Sequence, residues 1–188
     1  MRLLYGRHYA CRGESVADLI PAGSSVVDLC CGPAVLYERH LSRKHITYTG
    51  IDGSERFIAR VKQLGGHGIL QRISTAGESL PAADYVVMQG SLAYFLPDPS
   101  LLIDRMLAAA RKGVIIAEPV RNLSSSRSAL VRRVAIAASG GPGGEQPQRF
   151  TEQMLDDLFA RYRVDKAFLI PGGREKVYFL APQEHPGV

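Results

Sequence analysis

Gly32 and Asp52 stand 20 residues apart, the interval at which nucleotide-binding α/β folds set a carboxylate to accept hydrogen bonds from ribose hydroxyls. Gly32 belongs to a run of small residues, Cys30-Cys31-Gly32-Pro33-Ala34, and an acid, Asp28, precedes that run. A glycine in such a turn lets the backbone come close to a ligand, and a helix starting near Ala34 would aim free N–H groups at it. One glycine turn is a weak signal, but joined to an acid at this interval it points to a ligand that carries a ribose. A pyrophosphate-binding turn has the form G-x-G-x-x-G, whereas here a single glycine follows an acid, which argues against nicotinamide chemistry.

Those residues can act together only if strands deliver them to one rim. Ser25-Val26-Val27-Asp28-Leu29 is a β-branched run that ends in the small-residue turn, with a helix expected from Val35 to Arg39. Ile46 to Ile51 reads as a second strand closing on Asp52-Gly53-Ser54, and Ser54 is expected to cap a helix with Phe57, Ile58, Val61 and Leu64 on one face, stopped by Gly65 and Gly66. Ile69 to Ile73, Tyr85 to Met88 and Val114 to Ala117 follow as strands. Between the last two, Asp98 and Pro99 suit N-cap and N1 of a helix carrying Leu102, Ile103, Met106, Leu107 and Ala110 before Gly113. Alternating strand and helix means a parallel sheet covered on both faces. Thr151 is expected to cap a helix with Met154, Leu155, Leu158 and Phe159 inward, after which strands at 164–170 and 176–181 are separated by Pro171-Gly172-Gly173-Arg174. A link that short joins antiparallel neighbours, so the sheet ends in a hairpin.

The counts fit one domain. The chain has 188 residues, 46% of them apolar and 22% charged, which excludes a disordered or collagen-like chain. No apolar run approaches the roughly 20 residues that cross a bilayer, and the amino terminus lacks the apolar core of a secretion signal, so the expectation is a cytoplasmic protein. A net charge of +5 permits an acidic partner without demanding one. Cys11, Cys30 and Cys31 have neither disulfide-framework nor zinc spacing and read as thiols in or beside the core. No metal constellation emerges from His40, His45, His67 and His185, which look like surface.

Asp28-Leu29-Cys30-Cys31-Gly32-Pro33-Ala34 resembles the first motif of class I S-adenosylmethionine-dependent methyltransferases, an acid followed by x-G-x-G-x-G. Gly50-Ile51-Asp52-Gly53-Ser54 is similar to that family's second motif and Asp84 to Gln89 to its fourth strand; the closing hairpin matches its seven-stranded sheet. The resemblance covers residues 20–181. It implies an α/β fold, a Rossmann-like three-layer sandwich with a mostly parallel seven-stranded sheet ending in an antiparallel hairpin. It also implies S-adenosyl-L-methionine as cofactor and S-adenosyl-L-homocysteine as product. Asp28 would order the turn near the methionine amino group. Cys30, Cys31, Gly32, Pro33 and Ala34 would line the amino-acid part, Asp52 would hold the ribose with Gly53 and Ser54 beside the adenosine, and Gln89 would lie near the methionine moiety. The sequence departs from the pattern in three places. Its first and third glycine positions are Cys30 and Ala34. The acid that many relatives carry near the adenine aligns with Ala76, leaving Gly77, Glu78 and Ser79 as the adenine-side candidates. The N-P-P-Y signature is replaced by Met88-Gln89-Gly90-Ser91, which weighs against methylation of an exocyclic base nitrogen.

On the acceptor side, methyl transfer is an in-line displacement accelerated by holding the acceptor at near-attack distance, so a base is optional and no catalytic residue is assigned. His8, Tyr9, Tyr94, Glu118 and Arg121 are the substrate candidates by position; packing roles for the tyrosines, a solvated His8 and a salt-bridged structural Glu118 are the competing readings. The stretch from 121 to 150 is longer than an ordinary connection and holds Arg121, Arg127, Arg132, Arg133 and Arg149 against Glu145. With a helix expected over 126–138, it suggests a substrate lid with a basic rim inserted in a single domain spanning 1–188; a solvated arginine face on a packing helix competes. A small-molecule, carbohydrate or lipid-precursor acceptor suits the compact chain. The alternatives are an RNA methyltransferase, in line with the basic insertion, and a catalytically inactive cofactor-binding module. Oligomeric state is left open.

Overall fold

The computed structural model describes residues 11–120 and 149–182. Its centre is one seven-stranded sheet built from β1 (Ser25–Leu29), β2 (Thr47–Asp52), β3 (His67–Leu70), β4 (Ala83–Gln89), β5 (Ala110–Pro119), β6 (Val164–Leu169) and β7 (Glu175–Leu180). Their order across the sheet is β3-β2-β1-β4-β5-β7-β6. Pairings from β3 to β5 are parallel, and β7 pairs antiparallel with both β5 and β6. This is the Rossmann-like sandwich with a closing hairpin expected from the sequence. The chain runs outward from β1 to β3 and then returns to β1's other side at β4, and the crevice of an open α/β sheet opens at such a reversal.

Each face carries its own core because alternate side chains of a strand point to opposite faces. On one face Val27, Leu29, Val86, Met88, Val114 and Ile116 pack against Leu102, Ile103 and Met106 of α3 (Ser100–Ala109) and Leu155 and Phe159 of α4 (Glu152–Phe159). On the other, Val26, Tyr48, Val87, Ile115 and Ala117 meet Val16 and Ala17 of α1, helical over the described residues 11–17, and Val61 of α2 (Glu55–Gln63). Among the described residues no helix is long and apolar enough to cross a membrane.

Several local expectations shift. The turn after β1 enters a π-helical segment, Tyr37–Leu41, and then a 3-10 turn, Ser42–Lys44. Ser54 sits at the start of α2 in extended backbone, but its side chain makes no capping bond. The third strand lies earlier than expected, at His67–Leu70, because its partner β2 ends at Asp52, which pairs with Leu70. Helix α3 begins at Ser100, with Asp98 accepting the Ser100 N–H at 3.0 Å. It passes at Ala110 straight into β5, so Gly113 lies within the strand, where a Cβ would stand 2.6 Å from the Phe179 ring. Thr151 does cap α4, accepting the Met154 N–H at 3.2 Å. Met154 itself is exposed rather than inward, because the buried stripe runs through Leu155, Leu158 and Phe159. His40 is half-buried against Gly13, not a free surface group.

Candidate functional site

Strands β1 and β2 are parallel neighbours with Leu29 opposite Ile51, so the turn after one and the acid ending the other emerge side by side. Gly32 N–H donates to Asp52 Oδ2 at 3.0 Å and Ser54 N–H to Asp52 Oδ1 at 2.9 Å. Each carboxylate oxygen has a second lone-pair direction, so Asp52 can still accept from two neighbouring hydroxyls. The turn itself has φ of 54° at Cys30, 55° at Gly32 and 56° at Ala34. All three positions where the resembling motif carries glycine are thus left-handed, although two of them bear a Cβ, at a cost of about 1–2 kcal/mol each. The outer side of the bend is open: a Cβ on Gly32 would meet nothing within 4 Å. An open bend beside a carboxylate with spare acceptor capacity fits an adenosyl amino-acid compound.

The thiols in the turn are half-buried and do not supply nucleophiles. Burial, then the charges of Asp52, Asp28 and Glu118, push Cys30 up to about 12, against a hydrogen bond with Ser91. Burial and Asp28 raise Cys31 as well. Both are neutral near neutral pH, whereas the reactive form of cysteine is the thiolate.

Asp28 faces the α1 side of the sheet, where it is 2% exposed and accepts the Tyr48 hydroxyl at 2.8 Å. Burial pushes its carboxyl up to about 7, opposed by the Tyr48 hydrogen bond and by Arg12. Arg12, from α1, reaches over the carboxyl rim of the sheet. Its Nη1 lies 3.3 Å from Glu175 Oε2 at the start of β7, and 3.1 Å from where a Cβ on Gly90 would stand. Tyr48 could have been found from its spacing, since it stands two strand positions before Gly50 on the same face as Asp28's neighbour Val26. Nothing local marks Arg12 or Glu175, because their meeting joins the two ends of the chain.

At the other end of the rim, Glu118 near the carboxyl end of β5 is 1% exposed and accepts the Leu92 N–H at 2.7 Å. Burial pushes it up to about 7; the Leu92 and Ser91 N–H groups, then Arg12, oppose that shift. Glu118 lines a cleft of about 370 Å3, open mouth included, with Gly90, Ala93, Tyr94, Pro119, Arg149 and Phe150. Tyr94 is 73% exposed at that cleft, so it is not a packing residue. Gln89 ends β4 beside Gly90, half-buried. Gly77, Glu78 and Ser79 are exposed in the connection after β3, and Gly53 lies against Arg72. Pro33 is exposed on the turn. His8, Tyr9 and Arg121 lie outside the described residues, as do the helix expected over 126–138 and most of the basic stretch.

The chain matches the family model described as methionine biosynthesis protein MetW over residues 12–136. It has no match among the curated proteins. Among solved structures it is similar to a methyltransferase from Aquifex aeolicus, with 17% identity, 90% of this chain and 89% of that chain covered and a TM-score of 0.62. It is also similar to the magnesium protoporphyrin IX methyltransferase of Synechocystis PCC 6803 with bound S-adenosylhomocysteine, with 15% identity, coverages of 93% and 84%, and a TM-score of 0.68. The cyclase SpnF is a further similar structure, with 18% identity, coverages of 88% and 62%, and a TM-score of 0.60. At these identities the likeness is one of fold.

Proposed function

The chain belongs to the MetW family, of the class I S-adenosylmethionine-dependent methyltransferase kind, and on that premise we propose that it is an enzyme transferring a methyl group to a small-molecule, carbohydrate or lipid-precursor acceptor. S-adenosyl-L-methionine is the cofactor and S-adenosyl-L-homocysteine the product; when bound, the cofactor supplies an electrophilic methyl group. The observation that carries the reading is the Gly32 to Asp52 hydrogen bond, which brings the open bend and the acid together. Asp52 accepts the ribose hydroxyls while its own backbone bonds keep it aimed. The backbone from Cys30 to Ala34 lines the amino-acid part, with Asp28 beneath it, and Gly53, Ser54, Gly77, Glu78, Ser79 and Gln89 border the rest.

Acceptor binding falls to the cleft where Tyr94 is exposed, with His8, Tyr9 and Arg121 as its remaining candidates; Glu118, sealed and bonded to the Leu92 N–H, supports the wall of that cleft rather than reaching the acceptor. Holding the acceptor at attack distance is the main source of acceleration. The reading includes one domain over 1–188 with a substrate-side insertion at 121–150, acting in the cytoplasm. The altered adenine side, with Ala76 where the resembling family often carries an acid, favours a second reading, a catalytically inactive S-adenosylmethionine-binding module. An RNA acceptor would require binding that weakens steeply with salt.

Asp52→Asn tests the cofactor site. Asparagine keeps one acceptor oxygen but no charge, so S-adenosylhomocysteine affinity should fall about 100-fold by calorimetry, the loss of two charge-assisted hydrogen bonds. Unchanged affinity would remove the assignment. Asp52→Ala is the poorer probe, because it strips the acceptor from both Gly32 and Ser54, whereas asparagine still serves one of the two. Labelled cofactor incubated with a host extract would then identify the acceptor, and binding without turnover across that extract would favour the second reading.

A further inference from the structure

The connection between β3 and β4 is wrapped around a guanidinium that methyl transfer does not require. Arg105, on α3, donates through Nη1 to the carbonyls of Ser74 at 2.6 Å and Thr75 at 3.2 Å, and through Nη2 to the carbonyl of Glu78. Ser74 Oγ donates to the Ala76 carbonyl at 3.0 Å. The carbonyls of residues 74, 75, 76 and 78 are therefore all engaged within the connection or by Arg105. Gly77 lies on the clamp: a Cβ there would stand 3.1 Å from Nη2 and 3.2 Å from Nη1. The clamp persists although Arg105 Nε is buried without a hydrogen-bond partner among the described residues.

What the carbonyls spend, the amides keep. Gly77, Glu78 and Ser79 are exposed, and their N–H groups make no hydrogen bond among the described residues. The same connection starts beside the cofactor acid: Gln71 N–H donates to the Asp52 carbonyl at 3.0 Å, and Arg72 lies 3.7 Å from where a Cβ on Gly53 would stand. By the family resemblance, Ala76 stands where many relatives carry an acid near the adenine. A segment without helix or strand would need about 1–2 kcal/mol per residue to be ordered on binding, and a pre-set segment avoids that cost.

We propose that Arg105 is a positioning residue for the purine end of the cofactor site, setting the 77–79 backbone so that its N–H groups recognise the acceptor nitrogens of adenine. This rests on the S-adenosylmethionine reading. It implies a base preference that a purely structural tie would not give: adenine N1 accepts a hydrogen bond, whereas the N1 of hypoxanthine carries a proton and cannot.

The test is calorimetry with S-adenosylhomocysteine and S-inosylhomocysteine on the wild type, Arg105→Ala, Arg105→Lys and Asp52→Asn. Thermal unfolding verifies each fold, and hydrogen exchange is followed over residues 74–79. The wild type should prefer the adenine compound. Arg105→Ala should weaken it about tenfold, bring the two affinities together and speed exchange at 74–79. Arg105→Lys keeps the charge but lacks the planar fork whose two nitrogens reach the carbonyls of 74–75 and of 78, so it should fall between and serves if the alanine variant does not fold. Asp52→Asn should weaken both compounds by a common factor. A folded Arg105 variant with wild-type affinity and wild-type preference overturns the inference alone. A wild type that binds neither compound overturns the functional reading and this inference with it.

Discussion

Two acids near the carboxyl ends of parallel strands, Asp52 on β2 and Glu118 on β5, use the same group in opposite ways. Asp52 is half-buried, gives one acceptor position per oxygen to the backbone and faces an open bend. Glu118 is sealed, lies among Leu92, Ser91 and Arg12, and is held toward its neutral form by burial. Position at the rim is therefore not enough to make a carboxylate a ligand group. What decides is how many lone pairs the fold leaves unspent and whether water can reach them.

Removing the Glu118 side chain gives the largest effect on stability. Glu118→Ala leaves the buried Leu92 N–H without its acceptor and should cost about 3 kcal/mol in denaturant unfolding, while S-adenosylhomocysteine binding at the β1–β2 rim survives. A variant that keeps its stability would mean that the carboxylate does not pin the segment after β4, and the contrast with Asp52 would be lost.

The buried Glu118 carboxyl also makes stability depend on pH. A carboxyl at 4.5 when unfolded and about 7 when folded binds more protons in the folded state between those values. The stability it contributes is complete below about 4.5 and is lost as pH rises through about 7. Asp28 acts in the same direction, from 3.8 to about 7. Glu118→Gln keeps an acceptor for Leu92 but cannot ionise, so it should match the wild type in acid and exceed it by about 2 kcal/mol at about pH 8. Equal slopes in the two proteins would mean that Glu118 is ionised in the fold.

The β1–β2 rim was legible because its signals are local. A β-branched run, a small-residue turn and an acid 20 residues on fix β1, the bend and the end of β2, and parallel pairing does the rest. At the β4–β5 rim Tyr94 and Glu118 were legible by position, but their setting was not, because it is made by contacts distant along the chain: Glu118 with Leu92, 26 residues apart, and Arg12 with Glu175. The same reason explains Gly113, which looked like a helix stop and is instead the gap that admits the Phe179 ring. Arg105 looked like one polar position on an amphipathic helix, and only the folded chain brings three carbonyls to it. Periodicity predicted which side of α4 is buried but placed Met154 at its edge on the wrong side.

The smallest effect is expected where the bend after β1 departs most from the motif it resembles. Cys30 holds a left-handed backbone with a side chain, so Cys30→Gly relieves about 1–2 kcal/mol of strain. It also frees the unfolded chain by about 0.4–1 kcal/mol and removes a half-buried thiol that packs as a small apolar group, so the changes nearly cancel. Stability should move by less than about 1 kcal/mol, and S-adenosylhomocysteine affinity should hold within about twofold, because backbone shape rather than the thiol forms the bend. A loss beyond about 2 kcal/mol would instead show that the Cys30 hydrogen bond with Ser91 supports the turn. Because Ser91 adjoins the segment that Glu118 pins, the two rims would then be one mechanical unit, and the separation between a binding acid and a structural one would no longer hold.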